Sequence, residues 1–357
     1  MATNEDNNNN NNNAPIPADE NNDPITVDEN FDSDSAYGGD DWNSETTSIT
    51  STIYRGLTEN GRRYQTRREN KYWGPSDDQQ FETMEAGHFM YLVMDYHEEN
   101  RLFRSPIGPN PQHILDIGTG KGSWALDVAD MFPSATVRGV DLYPPPVSWV
   151  PPNCILEVDD VLEDWTYRQP FDLIHMRLLL GAFTPEEWDR VYKQCYDNLK
   201  PGGWIEQVEL DVRVMSDDGS LPPDSLLAGW GPTFLGCGER SGRPLDTQLT
   251  MRAAIEKAGF VDVHEKLYKC PIGAWPKDPV LKDAGAINME HWTTGLEGWA
   301  MWLLTKYGAP KPWTSEEVRV YVAKVRNELR DPKLHIWHYT RRVWAKKPET
   351  TTTTASA

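Results

Sequence analysis

The chain has 357 residues, with 55 acidic against 35 basic side chains and a formal net charge of −20. That balance excludes a phosphate-neutralising surface, so no direct nucleic-acid partner is expected. Four widely spaced cysteines, with no Cys-x-x-Cys pair and no histidine at ligand spacing, exclude a zinc site or disulfide framework, and no apolar run approaches the ~20 residues that span a bilayer.

The first 52 residues hold twelve Asp or Glu, no Lys, Arg or His, and an unbroken Asn7–Asn13 run. Too little apolar area is present there to offset ordering entropy, so residues 1–52 are predicted to be unfolded. Without those twelve charges, residues 53–357 still carry −8. Residues 53–110 read as a helical lid, with Phe81, Met84, Phe89, Leu92 and Val93 at helical spacing. Pro106, Pro109 and Pro111 then break the pattern before a catalytic-type domain over residues 111–348.

Within that domain strands are predicted over 114–117, 136–140, 155–158, 171–176 and 204–210, with helices over 124–131 and 186–199 between them. Such alternation implies parallel strands joined by right-handed crossovers. A helix over 245–258, a strand over 261–270, a helical insertion spanning about 275–330 and a last strand over 335–345 follow. The expected fold is a doubly wound α/β sheet of seven mostly parallel strands, closed by a hairpin, with the helical insertion before the last strand. Residues 349–357 read as an unfolded, Thr-rich tail.

The segment Leu115-Asp-Ile-Gly-Thr-Gly-Lys-Gly-Ser-Trp-Ala carries the main chemical signal. An apolar strand runs into a glycine turn and then directly into a helix, so that Gly118 and Gly120 let a ligand lie against the backbone. The G-x-G-x-G spacing of Gly118, Gly120 and Gly122 differs from the dinucleotide fingerprint by one residue. Asp141 ends the second strand, where a carboxylate can accept from both hydroxyls of a ribose. Asp159 and Asp160 end the third strand, where Asp160 suits an adenine amino group and the Val161 backbone suits the ring.

With Phe171-Asp-Leu-Ile-His and Asn198-Leu-Lys-Pro-Gly-Gly added, about 100 residues resemble the class I S-adenosylmethionine-dependent methyltransferases. A narrower resemblance, through Glu59-Asn-Gly-Arg-Arg-Tyr, Lys71-Tyr-Trp-Gly-Pro-Ser-Asp-Asp and Ser216-Asp-Asp-Gly-Ser-Leu, is to the fungal LaeA-like and UMTA-type methyltransferases of secondary metabolism. The resemblance implies S-adenosylmethionine as cofactor and Asp116, Gly118, Thr119, Gly120, Asp141, Leu142, Asp159, Asp160, Val161 and Met176 as its binding positions. Lys121, where a small hydroxyl residue is commoner, and Gln65-Thr-Arg-Arg, where a second aromatic is expected, depart from the pattern.

Methyl transfer from a sulfonium is a single in-line displacement with a neutral leaving group, so positioning carries most of the work. Where a base is needed, His175, His88, Glu206 and Glu209 are the candidates. Tyr64, Tyr72 and Trp73 are candidates for a lid, and Trp292, Trp299 and Trp302 for the wall of an apolar acceptor pocket. The expected acceptor is a small molecule, with a protein partner, a regulatory role or a non-catalytic scaffold as alternatives; no metal and no membrane are expected, and the cysteine usage predicts a cytoplasmic or nuclear setting.

Overall fold

The computed structural model describes residues 23–28 and 55–349. Five strands form the parallel part of one sheet: β3 (His113–Ile117), β4 (Thr136–Asp141), β5 (Cys154–Val158), β6 (Phe171–Arg177) and β7 (Leu199–Leu210). Two antiparallel strands complete it, β9 (Val261–Ile272) and β10 (Ile336–Lys346), in the order β5, β4, β3, β6, β7, β10, β9. The predicted seven strands are all present, and a two-residue strand β8 (Met215–Ser216) adds an eighth by pairing with the start of β10. Ile114, Leu115, Leu173, Ile174 and Ile205 are buried on these strands, as near-continuous apolar runs require when helices cover both faces.

Helices α2 (Ser123–Met131), α3 (Pro185–Asn198) and α5 (Thr247–Lys257) flank the sheet, while α4 (Leu226–Ser241) and α7 (Ser315–Leu329) pack with the 29-residue α6 (Pro279–Tyr307). Helix α6 starts with Pro279 behind Asp278, whose carboxylate accepts from the Leu281 N–H, and α3 starts at a reciprocal Thr184/Glu187 capping box. The insertion is thus held by aromatic packing, with Trp230, Trp292, Leu296 and Met301 in one core cluster.

The lid is less helical than its sequence predicts. Its named helix among the described residues is α1 (Asp78–Met94), preceded by a hairpin of β1 (Leu57–Glu59) and β2 (Arg62–Tyr64). Asp77 links the two, accepting from the Gln80 N–H as helix cap and from Arg62 Nε and Nη2 at 2.7 Å each. Within the stretch expected to be unfolded, residues 23–28 instead lie against the domain: Val27 bridges Pro276, and the Asp28 N–H donates to the Trp275 carbonyl. Ile25 and Val27 cover Trp275 and Trp337, which supplies the apolar burial that composition alone did not show. The remaining expectations for residues 1–22, 29–54 and 350–357 lie outside the described residues. Among the described residues, no helix is long and apolar enough to cross a membrane.

Candidate active site

The parallel strands end at one edge, and the turns that follow β3, β4, β5 and β6 meet there around a cleft with about 1110 Å³ of empty space, its mouth included. Gly118, Gly120 and Gly122 adopt φ of +67°, +57° and +91°, the left-handed region in which a side chain is disfavoured. A Cβ on Gly118 would lie 2.5 Å from Leu179 Cδ2, and one on Gly120 2.8 Å from Met84 Sδ. The turn is fastened to the end of β4: the Gly118 and Thr119 N–H groups donate to the Val140 carbonyl, and the Gly120 N–H donates to Asp141 Oδ2 at 2.8 Å.

Asp141 therefore already accepts from its own loop, with Oδ1 also accepting from the Tyr143 N–H. A carboxylate has about four acceptor directions, so room remains for hydroxyl donors from a ligand. Burial raises its pKa to about 6, against the stabilising effect of those backbone N–H groups. Thr119, Leu142, Asp159, Asp160 and Val161 line the cleft with Gly118, Gly120 and Asp141. Asp160 Oδ1 accepts from the Leu162 N–H, and Arg68 Nε approaches its other oxygen at 3.9 Å.

Asp116 sits one step behind the cleft. Its carboxylate accepts from Thr119 Oγ1 at 2.7 Å and meets His175 Nδ1 at 2.8 Å, while the His175 ring stacks on Trp124 at 3.8 Å between centroids. His175 is 1% exposed and Met176 is fully buried, and neither lines the cleft. His175 is thus corrected from candidate base to a core group that orients Asp116; burial lowers its pKa. Met176 is likewise withdrawn from the binding positions, because its side chain points into the core beneath β6.

Glu206 is corrected for a similar reason. It is fully buried, pairs with Arg342 Nη1 at 2.6 Å and accepts from the Arg104 and Ser105 N–H groups. Burial opposes its ionisation, but Arg342 together with the donors from Arg104 and Ser105 holds its pKa below the ordinary range. Glu209 is a buttress. It accepts from the Leu179 and Leu180 N–H groups at 3.1 Å, supporting the turn after β6, where Leu178 takes φ +57°. Burial raises its pKa to about 7.

His88 does face the cleft. The Arg177 guanidinium donates to its Nδ1 at 3.1 Å, so Nε2 carries the hydrogen and donates to Asp127 Oδ2 at 2.9 Å. Both nitrogens are committed, and burial lowers the ring's pKa, so this histidine holds Arg177 in place without a free lone pair. Arg177 itself was missed by sequence reasoning, although its place as the last residue of β6 is a cleft position by the strand-end rule. Among the described residues, no carboxylate lies within ion-pair distance of it. Lys121 turns aside to pair with Glu85 on α1.

A second chamber, with about 760 Å³ of empty space including its mouth, adjoins the cleft and shares Tyr72, Met84 and Leu178 with it. Trp230 and Phe234 of α4, Trp292 and Trp299 of α6, and Trp73 form its aromatic walls. Of the predicted wall, Trp302 instead packs on Tyr307 away from the chamber. Of the predicted lid, Tyr72 reaches both spaces, Trp73 donates through Nε1 to the Leu180 carbonyl, and Tyr64 is a core residue. Among the described residues, no Asp, Glu, Lys or Arg lines this chamber. All four cysteines are free and buried, and no metal-binding group of His, Cys, Asp and Glu occurs among the described residues.

Residues 87–265 match the family described as a methyltransferase domain. Over 297 residues the chain is 38% identical to Methyltransferase pytC of Aspergillus terreus, covering 83% of this chain and 89% of that one. It is 34% identical over 298 residues to Secondary metabolism regulator LAE1 of Cochliobolus heterostrophus, covering 82% and 94%. Probable methyltransferase tdiE of Emericella nidulans is 31% identical over 252 residues, covering 70% and 77%.

Proposed function

Because the chain belongs to the S-adenosylmethionine-dependent methyltransferases of secondary-metabolism type, we propose that it methylates a small apolar acceptor held in the aromatic chamber. The observation that carries this reading is the junction of the two spaces: an uncharged aromatic chamber opens beside a polar cleft across Tyr72, Met84 and Leu178. An apolar chamber of this kind buries a ligand on most sides and lets a few polar groups fix its orientation.

The cleft residues fit the cofactor. Asp141 keeps acceptor directions for the ribose hydroxyls, Asp160 and the Val161 backbone suit the adenine, and the bare glycines let the ligand approach the turn. Arg177, without a carboxylate partner, suits the amino-acid carboxylate of the cofactor. Bound there, S-adenosylmethionine supplies a methyl group on a positively charged sulfur. The chain then has to hold the acceptor in line and keep water out, which can lower a barrier by up to ~7–11 kcal/mol without a base.

The similarity to LAE1 supports a second reading, in which the acceptor or partner is a protein and the role is regulatory. Incubating the purified chain and methyl-labelled S-adenosylmethionine with a fungal extract separates the two. Label is expected in the low-molecular-weight fraction; label on protein alone would overturn the small-molecule reading.

A further inference from the structure

One titratable group of the chamber wall is used by nothing described so far. His291 of α6 is 4% exposed and lines the chamber, with its imidazole against Gly87 of α1: a Cβ there would come within 3.0 Å of His291 Cε1. Its Nδ1 is 2.7 Å from the Thr83 carbonyl oxygen. A carbonyl can only accept, so Nδ1 carries the hydrogen and the neutral ring keeps its lone pair on Nε2. Among the described residues Nε2 has no hydrogen-bond partner. The ring remains neutral across the physiological range, because burial pushes its pKa down to about 4.

Its neighbour Trp292 is 2% exposed and lines the same chamber, but its Nε1–H is buried away from the open space and has no acceptor among the described residues. The unmatched atom on the chamber wall is therefore His291 Nε2, and because polar groups in native proteins are paired as a rule, it points to a donor supplied by the ligand. The surrounding walls are π faces and edges: Trp292 meets Trp230 at 5.8 Å and 53°, and Trp299 at 5.5 Å and 88°. A charged acceptor would be buried here without a counter-ion, which disfavours carboxylates, phosphates and amines in their ionised forms.

We propose that the chamber takes an uncharged, flat aromatic acceptor bearing a free hydroxyl, which donates to His291 Nε2. The proposal rests on the reading of the chamber as a small-molecule acceptor site. It makes His291 a specificity-determining residue. It also has a consequence for release: the O–CH3 bond forms as the S–CH3 bond breaks to leave neutral S-adenosylhomocysteine, the hydroxyl proton passes to solvent, and the resulting ether has no hydrogen to donate, so product is held less tightly than substrate.

The test is calorimetric, on the full chain saturated with S-adenosylhomocysteine, with 2-naphthol and its methyl ether, 2-methoxynaphthalene, as probes. The wild-type chain is expected to bind 2-naphthol about tenfold more tightly than the ether. His291→Asn keeps a donor for the Thr83 carbonyl but removes Nε2, and is expected to bind the two probes equally. Trp292→Phe, which leaves His291 Nε2 in place, is expected to keep the preference for 2-naphthol over the ether. Equal affinities in the wild-type chain, or a preference that survives in His291→Asn, would overturn the assignment while leaving the chamber a small-molecule site. Failure of both probes to bind a chain that still takes S-adenosylhomocysteine would overturn the chamber itself as an acceptor site. The wild-type comparison needs no variant, so a folding defect in His291→Asn does not remove the test.

Discussion

The cleft and the chamber adjoin, yet they are built by different means. The cleft is made from main chain: three glycines with positive φ, backbone N–H groups fastened to β4, and carboxylates at consecutive strand ends. The chamber is made from side chains, chiefly aromatic ones, brought from residues 72–73, α4 and α6. Ligand recognition in the first is electrostatic and directional, and in the second it is mostly a matter of apolar area and shape. Changes at residues that line one space alone, away from the shared Tyr72, Met84 and Leu178, are therefore expected to leave the other's ligand largely untouched.

The largest expected effect is on stability, from the chamber side. Trp292→Ala removes a buried indole that packs between Trp230 and Trp299, and should cost about 3–5 kcal/mol in urea unfolding. Cofactor affinity in the remaining folded protein should stay within about twofold of wild type. A large loss of S-adenosylmethionine binding would mean that the two spaces are mechanically one site.

From the cleft side, Asp141→Ala removes the acceptor for two ligand hydroxyls at ~1.5–3 kcal/mol each, so cofactor affinity should fall by about a hundredfold or more in a calorimetric titration. The same variant should bind 2-naphthol as the wild-type chain does. Unchanged cofactor affinity would show that the adenosine lies elsewhere.

A smaller effect concerns pH. With its pKa raised to about 6, Asp141 takes up a proton on acidification and loses acceptor capacity, so cofactor affinity should be flat above about pH 7 and fall toward tenfold per pH unit below 6. Stability runs the other way. The folded chain keeps this proton up to about pH 6, whereas the unfolded chain releases it around the ordinary value of 3.8, so the group's contribution favours folding at acid pH and is lost as pH rises from about 4 through 6. The chamber has no charged lining, so naphthol affinity should not change over pH 5–8. A cofactor titration that stays level through pH 6 would remove Asp141 from the ribose.

The smallest effect is expected at Lys121, whose ammonium is partly exposed and pairs with Glu85 at the rim. Lys121→Ser should change stability by no more than about 0.5 kcal/mol and cofactor affinity by less than threefold. A larger drop in affinity would mean that Lys121 leaves Glu85 to meet the bound cofactor.

Much of the cleft was legible before any coordinates. A glycine turn after β3 and the acids that end β4 and β5 are local patterns, and parallel topology brings strand ends to one edge whatever the rest of the chain does. The same rule, applied one strand further, would have pointed to Arg177. The candidate bases were less legible, because a histidine or glutamate on a strand looks the same in sequence whether it faces a ligand or an arginine. Glu206 opposite Arg342 and His175 against Trp124 are decided by partners 136 and 51 positions away in the chain.

By itself, then, the sequence determined the sheet, its order of strands and helices, and the polar half of the site, since hydrophobic periodicity and backbone permissiveness are properties of short segments. Tertiary structure alone decided that residues 23–28 pack on Trp275, that Glu209 supports a turn, and that His291 Nε2 is left without a partner among the described residues on the wall of the chamber. Whether a polar atom is satisfied depends on what lies within about 3 Å of it, and that is set by the packing of distant elements rather than by neighbours along the chain.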